Sequence, residues 1–477
     1  MKDPNFLNQY INGEWVPSAS AEVIDVEDPV AMAPCASVPR GDVRDAERAI
    51  EAAHAAFPAW SRTSIDERIL LMQRVIDFMK ENCTRVAGIE TRELGCPWSY
   101  ALKKHCVYQL SRIENYMRLA EGVLQPRRTK GARLLLEPHG VVSSITPWNY
   151  PLGQIIQKVV PALLMGNTVV LKPSTLAPLS AVVLTEAFHA AGFPKGVFNL
   201  VNGSGSVLGE TLVKHPLVAM VSFTGSTEIG RRINLDAAES FKRVCLELGG
   251  KSPAIWLPGM ADYEPACRKL FDSVFLNAGQ TCTSLTRLFI HESTVDEVRA
   301  LFKRMLPLYP VGRPDDPNAK LGPVVSGRHY ERVANYIRLG IEEGAELFAG
   351  KVPGKPENGY FIEPVIFMNV KPEMRIAREE IFGPVLSVMT YKTVEEAVRL
   401  ANDTPYGLSS YLYGPKDEIL CLARDIHAGN VFLNDAGRDI SAPMGGFKAS
   451  GIGCESGEAG LMQFVGIKSV FDAVTVG

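Results

Sequence analysis

From residue 140 to about 433, short apolar runs alternate with segments of helical periodicity, and this alternation limits the fold more than any other feature of the chain. Strand-like runs fall at 141–145, 168–171, 197–200, 219–223 and 254–257, and helical patterns at 153–164, 179–191, 207–214 and 228–235. Such a pattern builds βαβ units, hence an α/β fold around a parallel, doubly wound sheet. Sheets of this kind take ligands at the carboxyl ends of their strands. The alternation resumes with strands at 288–291, 388–391, 409–413 and 430–433 and helices at 294–305, 393–401 and 419–426, which predicts a second α/β domain. The paired glycines Gly249-Gly250 make a permissive crossing point between the two. Ahead of them, residues 7–17 alternate around Asn12-Gly13, a hairpin signal. Helices are expected from Asp42, over 64–82 and over about 100–122, the last with Lys103, Lys104 and His105 on a solvated face. Pro138 parts two strand-like runs, 132–137 and 140–145. The basic stretch Arg127-Arg128-Thr129-Lys130 reads as a solvated turn ahead of an anion site.

Composition removes several classes of function. A chain of 477 residues with a formal net charge of -3 makes two or three domains and gives no electrostatic case for nucleic acid or a membrane surface. No run approaches the roughly 18 apolar residues of a membrane span. The start of the chain carries Asp3 and Glu14 and no apolar core, so it does not read as a secretory signal. The nine cysteines are scattered without a CxxC pair, which predicts free thiols in a reducing compartment, and the cytoplasm is the expected location. The eight histidines show no HxxxH or HxH spacing, so no metal is expected.

Several segments could carry chemistry. Cys282 lies in Phe-Leu-Asn-Ala-Gly-Gln-Thr-Cys-Thr, after an apolar helix-like run and before a β-like one. A thiol on such a turn suits nucleophilic work, whereas a packing cysteine sits inside an apolar run. Glu247 stands alone in Val-Cys-Leu-Glu-Leu-Gly-Gly, where burial would raise its pKa toward that of a general base, unless it serves a structural ion pair. Asn149, held between Pro147 and Pro151, is either an oxyanion donor or an Asx-turn residue. Phe223 to Gly230 follows a strand and opens a helix; Gly225, Ser226 and Thr227 there could cradle phosphate or simply cap the helix. Arg231-Arg232 after the second glycine excludes a Walker loop. Gly203-Ser204-Gly205 is a weaker turn of the same kind. Lys172-Pro173-Ser174 ends a strand at the edge where a ribose or phosphate would rest, though an exposed loop lysine fits equally.

Together these segments resemble the aldehyde dehydrogenase superfamily over nearly the whole chain. Six motifs stand in the family's order: Pro147-Trp148-Asn149, Lys172-Pro173-Ser174, Phe223-Thr224-Gly225-Ser226, Glu247-Leu248-Gly249-Gly250-Lys251, Gly279-Gln280-Thr281-Cys282 and Glu379-Glu380-Ile381-Phe382-Gly383-Pro384. The resemblance implies a Rossmann-like cofactor domain (1–117 and 139–249), an α/β catalytic domain (250–450), and a small β oligomerisation arm and tail (118–138 and 451–477) in a homodimer or homotetramer. It implies that Cys282 attacks an aldehyde, that Asn149 and the Cys282 N–H hold the oxyanion, and that Glu247 activates water to release the acid. It places the adenosine ribose at Lys172, the pyrophosphate at Ser226, and the nicotinamide ribose at Glu380 and Phe382. Thr146, Pro147, Trp148, Ser174, Thr175, Gly205, Phe223, Gly225, Leu248 and Gly249 complete that groove. The substrate pocket takes in Tyr150, Gln154, Gln157, Leu276, Thr281, Thr283, Arg438 and Met444. Its polar members suggest a polar or semialdehyde substrate, with Arg438 either an anchor for a carboxylate or the ion-pair partner of Asp439. NAD-preferring members usually carry Glu where this chain has Thr175, so tolerance of NADP, and a tilt toward it over NAD, is expected. Two rivals stand: a CoA-acylating semialdehyde dehydrogenase, against which Glu247 argues, and a non-catalytic, cofactor-binding structural protein.

Overall fold

The structure, a computed structural model, describes residues 1, 3–125 and 127–471. Its larger sheet has eight strands, of which five are parallel, lying in the order Phe198–Leu200, Thr168–Lys172, Val141–Ile145, Val218–Thr224, Arg243–Glu247. The first of these in sequence, Val141–Ile145, lies between the second and the fourth, so the winding reverses there. The chain leaving Ile145 and the chain leaving Thr224 diverge at that point and open a crevice. The hairpin Asn8–Ile11 and Glu14–Pro17 extends one edge through Tyr10 and Leu200. Gly451–Ile452 closes the other edge against Leu246 and Glu247.

The second sheet has seven strands. Six are parallel, running in space from Val365–Met368 through Val385–Tyr391, Arg287–His291, Pro253–Trp256 and Ser409–Tyr413 to Asn430–Leu433. Glu346–Ala349 is the antiparallel edge. The chain passes from the carboxyl end of Arg243–Glu247 to the amino end of Pro253–Trp256 in five residues. The carboxyl edge of the first sheet therefore meets the amino edge of the second.

The strands are legible because they are buried on both faces. All five residues of Val141–Ile145 and of Thr168–Lys172 are buried, which removes the polar alternation a half-exposed strand would show. Helix Pro151–Leu164 follows the same logic: Pro151 starts it and all fourteen residues are buried. It carries one lysine. A fully buried ammonium needs a partner, and Lys158 finds it in an ion pair with Glu455.

Several boundaries differ from expectation. Residues 118–123, expected in the arm, belong to helix Tyr108–Val123; a separate three-stranded sheet is made of Arg127–Arg128, Ala132–Pro138 and Val465–Phe471. Gly451–Ile452 belongs to the first sheet, so the tail begins later than 451, and 472–477 lie outside the described residues. His105 is not solvated. The segment Ala101–Val107 winds as a π-helix, Lys103 and Lys104 face out, and His105 is fully buried. There His105 Nδ1 lies 2.6 Å from Glu90 Oε2 and its ring stacks on Tyr150 at 4.6 Å. Unexpected elements include the hairpin Val23–Asp28 with Ala33–Pro39 and the helices Cys83–Leu94 and Gly327–Glu342.

Candidate active site

Cys282 stands where the two sheets meet. Helix Glu264–Phe275 delivers the chain to a turn in which Asn277, Ala278 and Gly279 all take positive φ, at 55°, 53° and 72°. Left-handed backbone costs about 1–2 kcal/mol for a residue such as Ala278, so the surroundings must hold the turn in place. They do: a Cβ on Gly279 would come within 2.2 Å of the Gly383 backbone. Asn277 Nδ2 donates to Asn149 O at 2.9 Å, and Asn149 Nδ2 donates to Gln280 O at 2.9 Å. These two bonds bring the end of Val141–Ile145 against the cysteine turn. One Asn149 amide hydrogen is thus used to fix the side chain and the other is free to point at a ligand. On the opposite side a Cβ on Gly250 would lie 2.4 Å from Cys282 O.

Two cavities meet at the thiol, and Cys282 is the one residue common to their linings. The first, about 250 Å³, opens at the switch point and is lined by Pro147, Trp148 and Asn149 on one strand end and by Thr224, Gly225 and Ser226 on the other. Leu248, Gly249, Glu380 and Phe382 close it. Ser226 caps helix Thr227–Ala238, its Oγ accepting the Ile229 N–H. Glu380 Oε1 accepts the Gly250 N–H at 3.0 Å, and a Cβ on Gly249 would approach Glu380 to 2.7 Å. Burial raises the Glu380 carboxyl pKa.

Other expected groove residues lie around this cavity. The Thr146 N–H donates to Lys172 O at 3.1 Å. Lys172 is buried, and its ammonium donates to Pro173 O at 3.1 Å with no ion-pair partner among the described residues; burial brings its pKa down to about 8. Ser174 and Thr175 are half-buried on the following loop, where Ser174 Oγ accepts the Leu176 N–H. Gly205 opens a short helical turn facing open space. Phe223 turns into the core, its ring under Gly225, so its side chain does not line the groove. Sequence reasoning missed His329 and Arg332, both in the lining. They lie on Gly327–Glu342, with His329 Nε2 2.7 Å from Phe382 O and its ring edge-on to Trp148.

The second cavity, about 240 Å³, approaches Cys282 from the far side. Tyr150, Gln154, Gln157, Thr281, Thr283, Arg438 and Met444 line it as expected. Leu276 does not: it packs on the core beneath the second sheet. The Tyr150 hydroxyl lies 3.0 Å from Thr281 Oγ1 and 3.2 Å from Tyr100 OH. Arg438 is not paired with Asp439; its guanidinium donates to Asn430 Oδ1 at 3.3 Å, while Asp439 Oδ1 accepts the Ser441 N–H. Lys104, Tyr108 and Arg112, absent from the expected set, also line this cavity. Their four-residue spacing suggests one helical face, which in sequence reads as a solvated one.

The titrating groups are strongly perturbed. Burial, then the negative field of Glu380 and Glu247, pushes the Cys282 thiol up to about 12. Glu247 is 3% exposed, and neither of its oxygens has a hydrogen-bond partner among the described residues. Burial first, and Glu455 second, hold its carboxyl well above the usual range, while Lys158 and Arg438 act in the other direction. Perturbation of this size in a cleft marks a functional site. Among the described residues no group of His, Cys, Asp and Glu could hold a metal, and no helix is long and apolar enough to cross a membrane.

A doubly wound sheet whose switch point opens on a groove ending at a half-buried thiol is an architecture suited to a nucleotide-linked enzyme. The chain belongs to the aldehyde dehydrogenase family, which matches residues 15–470. A Staphylococcus epidermidis protein that carries an aldehyde dehydrogenase name is 42% identical over 474 residues, 98% of each chain. Aldehyde dehydrogenase C of Pseudomonas syringae, solved with NAD+ and octanal, superposes with a TM-score of 0.94 at 39% identity, over 99% of this chain and 98% of that one. Betaine aldehyde dehydrogenase of Staphylococcus aureus, solved with NAD+, gives 0.92 at 34% identity, over 98% and 95%. The protein is an aldehyde dehydrogenase.

Proposed function

We propose that the protein oxidises a short polar aldehyde irreversibly to its carboxylic acid through a thioester on Cys282, released by water. The observation that carries this is the position of Cys282 at the junction of two cavities, one fit for a dinucleotide and one for an aldehyde. The groove fits a dinucleotide because a helix N-terminus at Ser226 and an under-paired Lys172 favour phosphate, and because Gly225 and Gly249 keep the space free of Cβ atoms. Glu380 and Phe382 would hold the end nearest Cys282. When bound, the oxidised nicotinamide supplies the hydride acceptor beside the thiol.

The chain's own residues do the rest. The Cys282 sulfur attacks the aldehyde carbon. The free Asn149 amide hydrogen and the Cys282 N–H, which donates to no acceptor among the described residues, receive the oxyanion. After oxidation, the unpartnered Glu247 carboxylate takes a proton from water, whose oxygen attacks the thioester and releases the acid and the thiol. An acid at this position supports hydrolysis over transfer to CoA. A kinetic screen of aliphatic, aromatic and semialdehyde substrates with both cofactors tests the reading. Failure on every class with cofactor still bound would favour the non-catalytic alternative.

We infer tolerance of NADP, and a tilt toward it, from Thr175. A carboxylate there would repel a 2′-phosphate, whereas Lys172 close by attracts one. Thr175→Glu is expected to lower the NADP-to-NAD ratio of kcat/KM by at least about tenfold, or 1.4 kcal/mol. Steady-state kinetics with both cofactors check this, and a parent enzyme favouring NAD more than about tenfold would overturn the tilt.

The larger sheet, with residues up to 117 and 139–249, is taken as the cofactor domain and 250–450 as the catalytic domain. The three-stranded arm is taken as the oligomer contact. Ile467 and Phe471 on its last strand are exposed, and bare apolar strands of this kind invite a partner. Light scattering should give the mass of two or four chains of 52.1 kDa, and Ile467→Lys should shift it toward one. A monomeric parent would refute the contact.

A further inference from the structure

The second cavity holds three cations and no acid. Arg112 is 9% exposed, makes no ion pair among the described residues, and has an Nε without any partner there. Its guanidinium stacks 5.3 Å from the centroid of Tyr108 and bonds to Gln157 Oε1. The Lys104 ammonium sits 5.5 Å from the same ring, also without an ion-pair partner among the described residues. Arg438 faces the same space; burial, and then the charge of Arg112 close by, lowers its pKa. Among the described residues, no Asp or Glu lines the cavity. The nearest acids do not compensate: Glu455 is tied to Lys158, and burial raises the Glu247 carboxyl pKa, which disfavours its charged form.

Guanidinium groups gathered in a desolvated space without a counter-ion are a poor way to stabilise a fold and a good way to bind an oxyanion. A planar fork such as that of Arg112 matches a carboxylate at two points. At about 240 Å³ the cavity falls below the roughly 300–1,000 Å³ of a drug-sized site, so the molecule it admits is short. We propose that Arg112, supported by Arg438 and Lys104, forms a carboxylate subsite, and that the substrate is a short aldehyde bearing a carboxylate at its far end. This rests on aldehyde oxidation at Cys282 and specifies the class of aldehyde. Gln157 acts as a positioning residue, since its Oε1 orients the guanidinium.

The test compares 5-oxopentanoate with pentanal, which share their length and differ in charge. The parent is expected to favour 5-oxopentanoate by about 30-fold or more in kcat/KM, mostly through KM. Arg112→Met should reduce that preference to about threefold or less. Lys104→Met, at an exposed position where folding is safe, should reduce it by a smaller factor, and Arg112→Lys should fall between. A second readout needs no turnover: glutarate should bind to Cys282→Ser protein by calorimetry, more weakly as salt rises, and not bind once Arg112→Met is added. A parent that uses both aldehydes equally, or variants that lower both alike, would overturn the subsite. If the parent oxidises neither aldehyde while glutarate still binds through Arg112, the subsite stands and the aldehyde-oxidation reading falls.

Discussion

Cys282→Ser is expected to lower aldehyde-dependent reduction of the cofactor by on the order of 10⁴-fold or more, the scale seen when a covalent nucleophile is removed. The replacement is close in size, so the left-handed turn at Asn277 to Gly279 and the Asn149–Gln280 bond should survive it. What is lost is a soft, ionisable sulfur. A serine hydroxyl is far less acidic than a thiol and a poorer nucleophile, whereas the thiol, even when raised to about 12, keeps a small reactive fraction. The same raised value predicts the pH profile. Thiolate appears as pH rises toward the thiol pKa, so single-turnover rates should climb through pH 7 to 9 and fall on acidification. Stopped-flow detection of the reduced cofactor, with cofactor binding followed by fluorescence, checks both points. A serine variant within tenfold of the parent, or a profile that falls as pH rises, would remove Cys282 from the nucleophile's role.

The fold was legible where burial is uniform and opaque where packing decides. The strands Val141–Ile145 and Thr168–Lys172 are buried on both faces, so their apolar runs stand out without context, and their alternation with helices implied the doubly wound sheet. Helix Gly327–Glu342 was not expected, although its buried residues Tyr330, Val333, Ala334 and Ile337 recur at helical spacing. That helix matters, because it brings His329 and Arg332 into the groove. The π-helical winding of Ala101–Val107 leaves no compositional trace, since an i→i+5 turn uses ordinary helix formers. Its consequence is that His105 goes inward to Glu90, a partner on another helix that no local pattern announces.

The site divides along the same line. Cys282, Glu247 and Asn149 stand out in sequence because each breaks its local rule: a thiol on a turn, an acid in an apolar strand, an amide between prolines. Consistency across levels fails at such places when function takes precedence over stability. Lys104, Tyr108 and Arg112 break no rule. Cations eight residues apart on a helical stretch look like a solvated face, and the packing of Tyr108–Val123 against Pro151–Leu164 brings Arg112 to a cavity. Leu276 fails in the opposite way: its place beside the cysteine motif suggested the pocket, but the turn that follows it directs its side chain into the core.

Glu247→Gln should separate the two halves of the reaction. The amide keeps the size of the carboxyl but cannot accept a proton from water. One reduced cofactor per active site should still appear in a burst, because attack by Cys282 and oxidation do not draw on this base. The steady rate should then fall by about 10³-fold, within the range general-base catalysis contributes. Burial makes the carboxyl a stronger base and a rarer one. With its pKa held above the usual range, the ionised fraction grows with pH, so the steady rate of the parent should rise with pH and the variant should lose that dependence. Quenched-flow measurement of burst and steady phases from pH 6 to 9 decides the matter. Loss of the burst itself would move Glu247 to the formation of the nucleophile. A steady rate within about threefold of the parent would free it from any role in hydrolysis. Added CoA should leave the steady rate of the parent unchanged, and an acceleration by CoA would replace the hydrolytic reading with acyl transfer.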